Sequence, residues 1–460
     1  KQNNNNNNNN KRMTTSQLHI ALLAFPFGSH AAPLLTLVQK ITPFLPSNTI
    51  FSFFNTSNSN TSIFSKTPNQ ENIKIYNIWD GVKQGNDTPI GREAIELFIH
   101  STPTNFEKSM KEAEEETGVK FSCIISDAFL WFSSEFANKM NIPWIAFWTA
   151  GSCSLSIHLY TDLIRSNDET LLKIPGFSST LKMSDMPPEV IAENLKGPMP
   201  SMLYNMAINL HKANAVVLNS FEELDPIINK DLKSKLQKVL NIGPLVILSS
   251  NNVFLDANSD ESGCIQWLDN QKERSVVYLS FGTVTTLPPN EIIAIAEALE
   301  DKKMPFIWSL RDNGVKILPK GFLERTNEYG KIISWAPQLE ILAHRSVGVF
   351  VTHCGWNSIL EGISYGVPMI CRPFFGDQKL NSRMVESVWE IGLQIEGGNF
   401  TKSGTISALG TFFNEEKGKV SRKNVEGLKE KALEAVKLDN GSSIENFKVL
   451  VELVKCHKPT

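Results

Sequence analysis

The chain has 460 residues, of which 41% are hydrophobic and 20% are charged, and its formal net charge at pH 7 is −3. A charge this close to zero, with scattered basic residues, excludes the basic patches typical of nucleic-acid-binding proteins and of proteins held to anionic membranes. The length exceeds what one hydrophobic core usually serves, so we expect two domains.

The N-terminus and the cysteines indicate the compartment. Residues 1–17 are polar and of low complexity, so we expect a disordered tail. The apolar segment that follows is too short to span a membrane, and no secretory signal precedes it. Six cysteines without a Cys-x-x-Cys pair predict neither a zinc site nor a disulfide framework. We therefore expect a cytoplasmic monomer without membrane insertion or bound nucleic acid.

Apolar runs alternate with amphipathic stretches along residues 18–246. This alternation is typical of βαβ units and favours an α/β domain with a parallel, doubly wound sheet. The predicted strands are residues 18–25, 49–54, 73–78, 121–126, 143–148 and 215–220.

Two loops of this first half carry titratable side chains at strand ends. His30 follows the first predicted strand, and Asp127 follows the fourth. If these strands are neighbours, the carboxylate can orient the imidazole and stabilise its protonated form, which makes a general base. The alternative is that His30 caps a helix and Asp127 serves a turn.

Residues 247–263 are polar and rich in turn formers, which predicts an interdomain linker. Residues 264–440 then repeat the βαβ pattern and predict a second doubly wound domain. Its predicted strands are residues 275–281, 305–310, 331–335, 347–353 and 367–373. Two such domains form a cleft, and ligands bind at the carboxyl ends of their strands.

The loops of the second half predict an anion site. Residues 352–361 read THCGWNSILE, a strand end followed by a helix start in which Gly355 allows a sharp turn and Asn357 or Ser358 can cap the helix. A helix N-terminus of this kind binds phosphate. Ser280 and Thr283, after an earlier strand, could bind phosphate or sugar oxygens. The alternatives are an ordinary capped turn and ordinary turn hydroxyls.

Several other activities lack their sequence patterns. The chain contains no Gly-x-Gly-x-x-Gly after a strand, no P-loop, no Gly-x-Ser-x-Gly elbow and no His-Glu-x-x-His. Dinucleotide-dependent oxidoreductases, P-loop enzymes, serine hydrolases and zinc proteases of these types are therefore not indicated.

One long motif resembles a known family. Residues 335–378 read WAPQLEILAHRSVGVFVTHCGWNSILEGISYGVPMICRPFFGDQ. This stretch closely resembles the signature box of plant family 1 UDP-glycosyltransferases. The segments AFPFGSHAAPLL, SDAF, PWIAFWTAG, NSFEELDP and VVYLSFGTV also resemble that family, most of all its flavonoid and anthocyanidin 3-O-glucosyltransferases.

The resemblance implies a GT-B architecture of two Rossmann-like domains facing across a cleft. Residues 18–246 would bind the acceptor and residues 264–440 the UDP-sugar, while residues 441–460 would form a helix that packs back on the first domain. It also implies binding of a UDP-sugar and a small aromatic acceptor, with no cofactor and no metal ion.

Residue by residue, the resemblance implies how the donor is held. Trp335 would stack on uracil, Ala336 and Gln338 would read its edge, and Glu361 would bind the ribose. More residues would contact the phosphates and the sugar. The phosphates would meet Ser280, Thr283, His353, Gly355, Asn357 and Ser358, and the sugar would meet Trp148, Thr149, Trp356, Asp377 and Gln378. Asp377 and Gln378 would accept hydrogen bonds from its hydroxyls, and glutamine at the latter position favours glucose.

For catalysis, the resemblance implies that His30 removes the acceptor proton while Asp127 stabilises the imidazolium. One in-line displacement would then invert α-glucose to a β-glucoside. The implied acceptor contacts are Phe25, Arg92, Phe129, His158 and Phe375. Arg92 and Pro187 depart from the glutamines of some similar enzymes, which affects the preferred flavonoid. The alternatives are the same donor chemistry on another phenolic or hydroxyl, and a nucleotide-sugar-binding protein without turnover.

Overall fold

A computed structural model describes residues 17–65, 72–83, 91–166, 173–177, 181–249, 262–282 and 284–456. Its strands form two parallel sheets, one in each half of the chain. The first sheet contains β1 (His19–Leu23), β2 (Ile50–Thr56), β3 (Ile73–Ile78), β4 (Cys123–Asp127), β5 (Trp144–Trp148), β6 (Ala215–Leu218) and β7 (Val239–Asn241). The second contains β8 (Val276–Ser280), β9 (Phe306–Ser309), β10 (Gly330–Ile333), β11 (Val347–Thr352), β12 (Met369–Cys371) and β13 (Gly392–Gln394).

Every predicted strand is present, and the predicted α/β class with two doubly wound sheets is confirmed. Two further strands, β7 and β13, are missing from the prediction. Each has three residues and lies at the end of its sheet, and Asn241 or Gly392 interrupts the apolar run that would have marked it. A short edge strand carries little periodic signal.

Helices cover both sheets. In the first half they are α1 (Ala31–Ile41), α2 (Ser57–Phe64), α3 (Arg92–Ser101), α4 (Thr104–Thr117), α5 (Ser133–Met140), α6 (Ser152–Leu159), α7 (Thr161–Ser166), α8 (Pro198–Asn209), α9 (Pro226–Lys235) and α10 (Leu245–Ser249). In the second half they are α11 (Cys264–Asp269), α12 (Pro289–Lys302), α13 (Asp312–Val315), α14 (Phe322–Thr326), α15 (Gln338–Ala343), α16 (Trp356–Tyr365), α17 (Gln378–Arg383), α18 (Lys402–Asn414), α19 (Glu416–Ala435) and α20 (Ser442–Lys455). A π-helical segment, Met384–Val388, extends α17.

Strand order places the functional loops. The first sheet runs β3-β2-β1-β4-β5-β6-β7 and the second β10-β9-β8-β11-β12-β13. The order reverses between β1 and β4 in the first sheet and between β8 and β11 in the second. Loops diverge at such switch points and leave a crevice for ligands. Asp127 and Ser280 are the last residues of β4 and β8, and His30 and His353 lie in the loops after β1 and β11.

The domains share buried surface. One apolar cluster runs through both halves and includes Val216 of β6, Phe350 of β11 and Leu380 of α17. The last helix, α20, packs on the first domain, because Leu450 and Val454 lie in the core that also contains β1 and β2 residues. Within the described part of the chain, no helix combines the length and apolar composition that crossing a membrane needs.

Some predictions fall outside the described residues. These are residues 1–16 of the predicted tail, residues 250–261 of the predicted linker, residues 457–460 of the C-terminal segment, and Thr283. Residues 247–249, where the predicted linker begins, belong to helix α10.

Candidate active site

His30 and Asp127 meet at the switch point of the first sheet. Strands β1 and β4 pair in parallel with Leu23 opposite Ser126, so the loops that leave their carboxyl ends are adjacent. Nδ1 of His30 lies 2.7 Å from Oδ2 of Asp127. His30 occupies the residue before α1, but its side chain makes no capping hydrogen bond. The alternative of a plain helix cap is therefore wrong for this histidine.

The surroundings of Asp127 fix the tautomer of His30. Asp127 is buried, and its second oxygen, Oδ1, accepts the backbone N–H of Phe129 at 2.9 Å. An ionised carboxylate only accepts, so Nδ1 of His30 carries a proton, which it also directs at the hydroxyl oxygen of Thr149 at 3.0 Å. Nε2 then keeps its lone pair, as a general base requires.

Aromatic rings surround this base. The His30 ring centroid lies 5.1 Å from that of Phe25 and 4.6 Å from that of Phe129. Phe129 lies 5.8 Å from Trp148, which lies 5.7 Å from His158. Burial lowers the pKa of His158 to about 4, so this ring is neutral near pH 7. The structure thus brings these predicted acceptor residues together as apolar walls beside His30.

The other two predicted acceptor residues, Arg92 and Phe375, are more exposed than these rings. Arg92 begins α3, and its exposed guanidinium pairs with Glu96 at 2.8 Å. Phe375, in the second domain, is half exposed, while Pro187 is buried. The ion pair of Arg92 is thus with a residue of its own helix, Glu96.

Two predicted sugar contacts use their rings elsewhere. Trp148 is 2% exposed, and its Nε1–H donates to the carbonyl of Gly151 at 2.9 Å. Trp356 is 4% exposed, and its Nε1–H donates across the domain boundary to the carbonyl of Asn219 at 2.8 Å. Because each indole is buried and its N–H is already bonded, these N–H groups are not available to a sugar, and the place of Trp148 and Trp356 beside the sugar stays a prediction.

The turn before α16 differs from the prediction in one respect. The residue with left-handed backbone is Cys354, at φ +66°, whereas Gly355 has an ordinary φ of −62° and precedes the helix. Glycine is needed at 355 for space, because a Cβ there would lie 2.5 Å from Nε2 of His353. Asn357 and Ser358 lie inside the first turn and do not cap it. Without a capping side chain, the backbone N–H groups of this turn remain for an anion.

His353 sits between two glycines. A Cβ on Gly282, which has φ +73°, would lie 2.9 Å from Cε1 of His353, so this glycine also leaves space for the ring. Burial lowers the pKa of His353 to about 4, and its Nδ1 is buried without a hydrogen-bond partner among the described residues. A neutral imidazole donates one hydrogen bond and adds no charge. We interpret this buried polar atom, in a cradle too tight for a Cβ, as part of a ligand site.

An exposed indole and a buried carboxyl flank α15. Trp335 is 66% exposed, and the neighbouring Ala336 is half-buried against the core. Gln338 accepts the hydroxyl of Tyr278 at 2.9 Å and donates through Nε2 to Glu361 at 2.5 Å. Burial raises the pKa of Glu361 to about 7, although the hydrogen bond from Gln338 opposes this rise.

Asp377 and Gln378 stand at the start of α17. Asp377 accepts a hydrogen bond from Asn381 at 2.9 Å. Oε1 of Gln378 accepts the backbone N–H groups of Phe374 at 2.9 Å and Phe375 at 3.2 Å. Because two N–H groups can only face the amide oxygen, the group that Gln378 offers to a sugar is its NH2 donor. This orientation does not favour the predicted role of Gln378 as an acceptor of sugar hydroxyls.

His30 of the first domain and Asp377 of the second are near enough to interact electrostatically. Burial raises the pKa of Asp377, and the charge of His30 is close enough to oppose that rise. Ser280, the last residue of β8, is buried and lies two residues before Gly282. Within the described ranges, no group of three or more His, Cys, Asp or Glu side chains is placed to hold a metal ion.

Tyr278, Gly282 and Asn381 contact site residues and are absent from the sequence-based prediction. Gly282 directly follows a predicted strand, and Asn381 lies one helical turn after Asp377, so each had a positional signal. Tyr278 lies in a strand whose residues are all buried. No sequence pattern marks its hydroxyl as part of the site.

Comparisons with known proteins show the family of the chain. The family described as "UDP-glucoronosyl and UDP-glucosyl transferase" matches residues 254–429. An anthocyanidin 3-O-glucosyltransferase of Solanum melongena is 80% identical over 427 residues, which cover 92% of this chain and 97% of that protein. A flavonol 3-O-glucosyltransferase of Actinidia chinensis var. chinensis is 51% identical over 457 residues, covering 96% and 98%.

The fold is also that of a solved relative. A crystal structure of a UDP-glucose: anthocyanidin 3-O-glucosyltransferase in complex with UDP matches with a TM-score of 0.89 and 41% identity, over 96% of this chain and 100% of that chain. The two facing sheets are therefore the GT-B architecture. Given these identities over nearly the whole length, the chain belongs to the UDP-glycosyltransferase family.

Proposed function

We propose that the protein transfers glucose from UDP-glucose to the 3-hydroxyl of a flavonoid, either a flavonol or an anthocyanidin, and forms a β-O-glucoside. The observation that carries this proposal is the His30–Asp127 pair, a base of fixed tautomer beside aromatic walls and across the cleft from Asp377. Similarity to an anthocyanidin and a flavonol 3-O-glucosyltransferase supports the acceptor class.

The chemistry would be a single displacement. Nε2 of His30 takes the proton of the acceptor hydroxyl, and the oxygen forms a bond to the anomeric carbon. The bond from that carbon to the diphosphate breaks on the opposite face, and UDP leaves with the electron pair. Asp127 stabilises the imidazolium that forms. The first turn of α16 and the neutral His353 donate hydrogen bonds to the leaving diphosphate.

We propose that this transfer needs no metal ion, because backbone N–H groups and an imidazole are available to offset the leaving-group charge. We also propose that the enzyme works as a cytoplasmic monomer. Chelation during the assay tests the first point, and light scattering on the purified protein tests the oligomeric state.

A product assay tests the activity. Purified protein is given UDP-glucose or UDP-galactose with a panel of flavonols, anthocyanidins, isoflavones and simple phenols, with and without chelator. The expected product is a 3-O-glucoside whose anomeric proton coupling has the β value. Transfer to another hydroxyl or phenolic would replace the proposed acceptor, and UDP-glucose binding without transfer would reduce the protein to a nucleotide-sugar-binding protein.

The exposed ring of Trp335 gives a prediction about donor binding. Replacing Trp335 with alanine is expected to raise KM for UDP-glucose about tenfold and to leave kcat nearly unchanged, since stacking on a base is worth about 1–3 kcal/mol. The ring would touch uracil, which takes no part in the reaction, so it stabilises the bound substrate and the transition state equally. Steady-state kinetics check this, with Trp335→Phe as a control that keeps a stacking ring. A drop in kcat in the alanine variant would contradict the assignment.

The carboxyl of Glu361 gives a prediction about pH. Its pKa is raised to about 7 in the free protein, and ribose hydroxyls would donate to its ionised form. Binding should therefore release a proton, and affinity for UDP-glucose should rise from pH 6 to pH 8, by up to about tenfold per unit below the pKa. The pKa of His353, about 4, lies outside this window.

Isothermal titration calorimetry at several pH values measures this dependence. Glu361→Gln is the matched control, which should bind more weakly and without pH dependence. Persistence of the pH dependence in that variant would assign the released proton to another group.

A further inference from the structure

A buried carboxylate, Asp225, lies where the two domains meet. It directly precedes α9 in the first domain and is 5% exposed. Its Oδ2 accepts the hydroxyl of Ser152 at 2.7 Å, and its Oδ1 accepts Nε1–H of Trp389 at 2.9 Å. Ser152 begins α6 of the first domain, whereas Trp389 follows the π-helical segment of the second. One carboxylate therefore holds both domains, and we call Ser152, Asp225 and Trp389 the interdomain clasp.

A second indole of the second domain reinforces this contact. Trp356 donates to the carbonyl of Asn219, and its ring lies so close to Gly151 that a Cβ there would come within 2.6 Å of Cζ3. The ring centroids of Trp356 and Trp389 are 6.5 Å apart. Both indole N–H groups thus end on the segment that follows β6 of the first domain, and the ring of Trp356 also packs against Gly151 in the loop after β5.

The loop after β5 also reaches the base. Thr149 contacts Nδ1 of His30 at 3.0 Å and lies three residues before Ser152. Between them, the carbonyl of Gly151 accepts the indole Nε1–H of Trp148. The ring centroids of Trp148 and Phe129 are 5.8 Å apart. Residues 148–152 therefore link the interdomain clasp to His30 and to the aromatic wall beside it.

A carboxylate is a costly choice at this position. The partners that the structure gives Asp225 are two neutral donors, and burial raises its pKa while these hydrogen bonds oppose the rise. A buried charge without a cation costs stability, and an apolar side chain of similar volume usually costs less. Stability alone therefore does not account for a polar side chain here, whereas a need for two well-directed hydrogen bonds between the domains does.

We propose that Asp225 is a positioning residue for sugar transfer, which ties residues 148–152 of the first domain to Trp389 of the second and so holds His30 in register with the donor. It touches neither substrate. The donor contacts lie mainly in the second domain and the base in the first, so loosening the interdomain clasp changes the distance between reacting groups more than it changes donor binding.

The kinetic test rests on the proposed function. Asp225→Ala is expected to lower kcat about tenfold or more, because small displacements of reacting groups are that costly, while KM for UDP-glucose changes less than about twofold. Asp225→Asn should recover most of kcat, since its amide oxygen can accept from Trp389 and its amide N–H can donate to Ser152. Trp389→Phe should resemble Asp225→Ala, and combining the two should cost no more than the larger single loss.

A matched control is available in Trp308→Phe. Trp308 is also fully buried, but its Nε1 has no hydrogen-bond partner within the described part of the chain. Both phenylalanine variants remove an indole ring from a core, and only Trp389→Phe breaks the interdomain clasp. A kcat loss confined to Trp389→Phe supports the proposal, and an equal loss in both variants overturns it.

Hydrogen exchange on the free protein needs no substrate and so separates this proposal from the proposed function. Exchange in peptides covering residues 148–152 and 386–390 should rise in Asp225→Ala and Trp389→Phe and stay near the parent level in Asp225→Asn and Trp308→Phe. Unchanged exchange in Asp225→Ala overturns the clasp whatever the activity. If the parent protein shows no transfer activity but exchange still rises in Asp225→Ala, the interdomain clasp is retained and the proposed function is rejected.

Discussion

Replacing His30 with alanine is expected to lower kcat for glucose transfer about 10³-fold, within the range that general-base catalysis contributes. KM for UDP-glucose should change little, because the donor contacts lie mainly in the second domain. The fold should persist, since the imidazole lies at the cleft and is partly exposed. Single-turnover kinetics with a saturating flavonol measure the loss.

His30→Gln is the informative companion. Its amide can still donate to Asp127, but it has no basic nitrogen, so it should be as inactive as the alanine variant. His19 gives a contrast within the same sheet, because both of its ring nitrogens are bonded, to Val119 and Ser52 at 2.8 Å each. His19→Gln should lose stability without a comparable loss of kcat in the folded protein. Transfer at the parent rate by His30→Gln would show that His30 is not the general base.

Replacing Asp127 with asparagine is expected to lower kcat about 10²-fold to 10⁴-fold without loss of the fold. The backbone N–H of Phe129 faces Oδ1 of Asp127, so the amide oxygen of the asparagine must stay there. Its NH2 group would then face Nδ1 of His30. Nδ1 would have to accept, the proton would move to Nε2, and the nitrogen that should take the acceptor proton would already carry one.

Thr149→Val provides the comparison for this variant. It removes the second contact of Nδ1 and leaves Asp127 in place, so its loss should be well under that of Asp127→Asn. NMR of the His30 side chain can assign the protonated nitrogen in each protein. Asp127→Asn protein that keeps the proton on Nδ1, or that keeps the parent kcat, would contradict the proposed role of Asp127.

Local patterns in the sequence predicted most of the fold. Long apolar runs rich in β-branched residues marked the central strands, which are buried on both faces and tolerate no other composition. The same logic failed for β7 and β13, because a three-residue edge strand needs few apolar positions. The pairing of β1 with β4, which joins His30 to Asp127, depended on strand order, and sequence spacing alone left it open.

The sequence identified many candidate site residues, but it did not show which atoms of those residues make contacts. Gln378 was identified, but which of its amide atoms faces the ligand depends on the backbone N–H groups of Phe374 and Phe375. Trp356 was identified as well, yet its indole bonds to Asn219, 137 positions away in the chain. Asp225 lies in the segment NSFEELDP, but the resemblance of that segment to the family assigned it no role. Contacts between domains arise from packing of distant segments, and one sequence without homologues does not encode them in any local pattern.

Helix α20 has a consequence for how the protein is made. It comes from the far end of the chain, yet Ser443 donates to the carbonyl of Gly243 at 2.6 Å, Asn446 donates to that of Asn241 at 2.9 Å, and Leu450 fills the first domain's core. About 200 residues separate β7 from α20, and at ~5–20 residues per second a ribosome needs roughly 10–40 s to add them. During that interval the nascent first domain exposes an apolar face, so its folding finishes only after α20 has been synthesised, and chaperones that bind such faces have time to act.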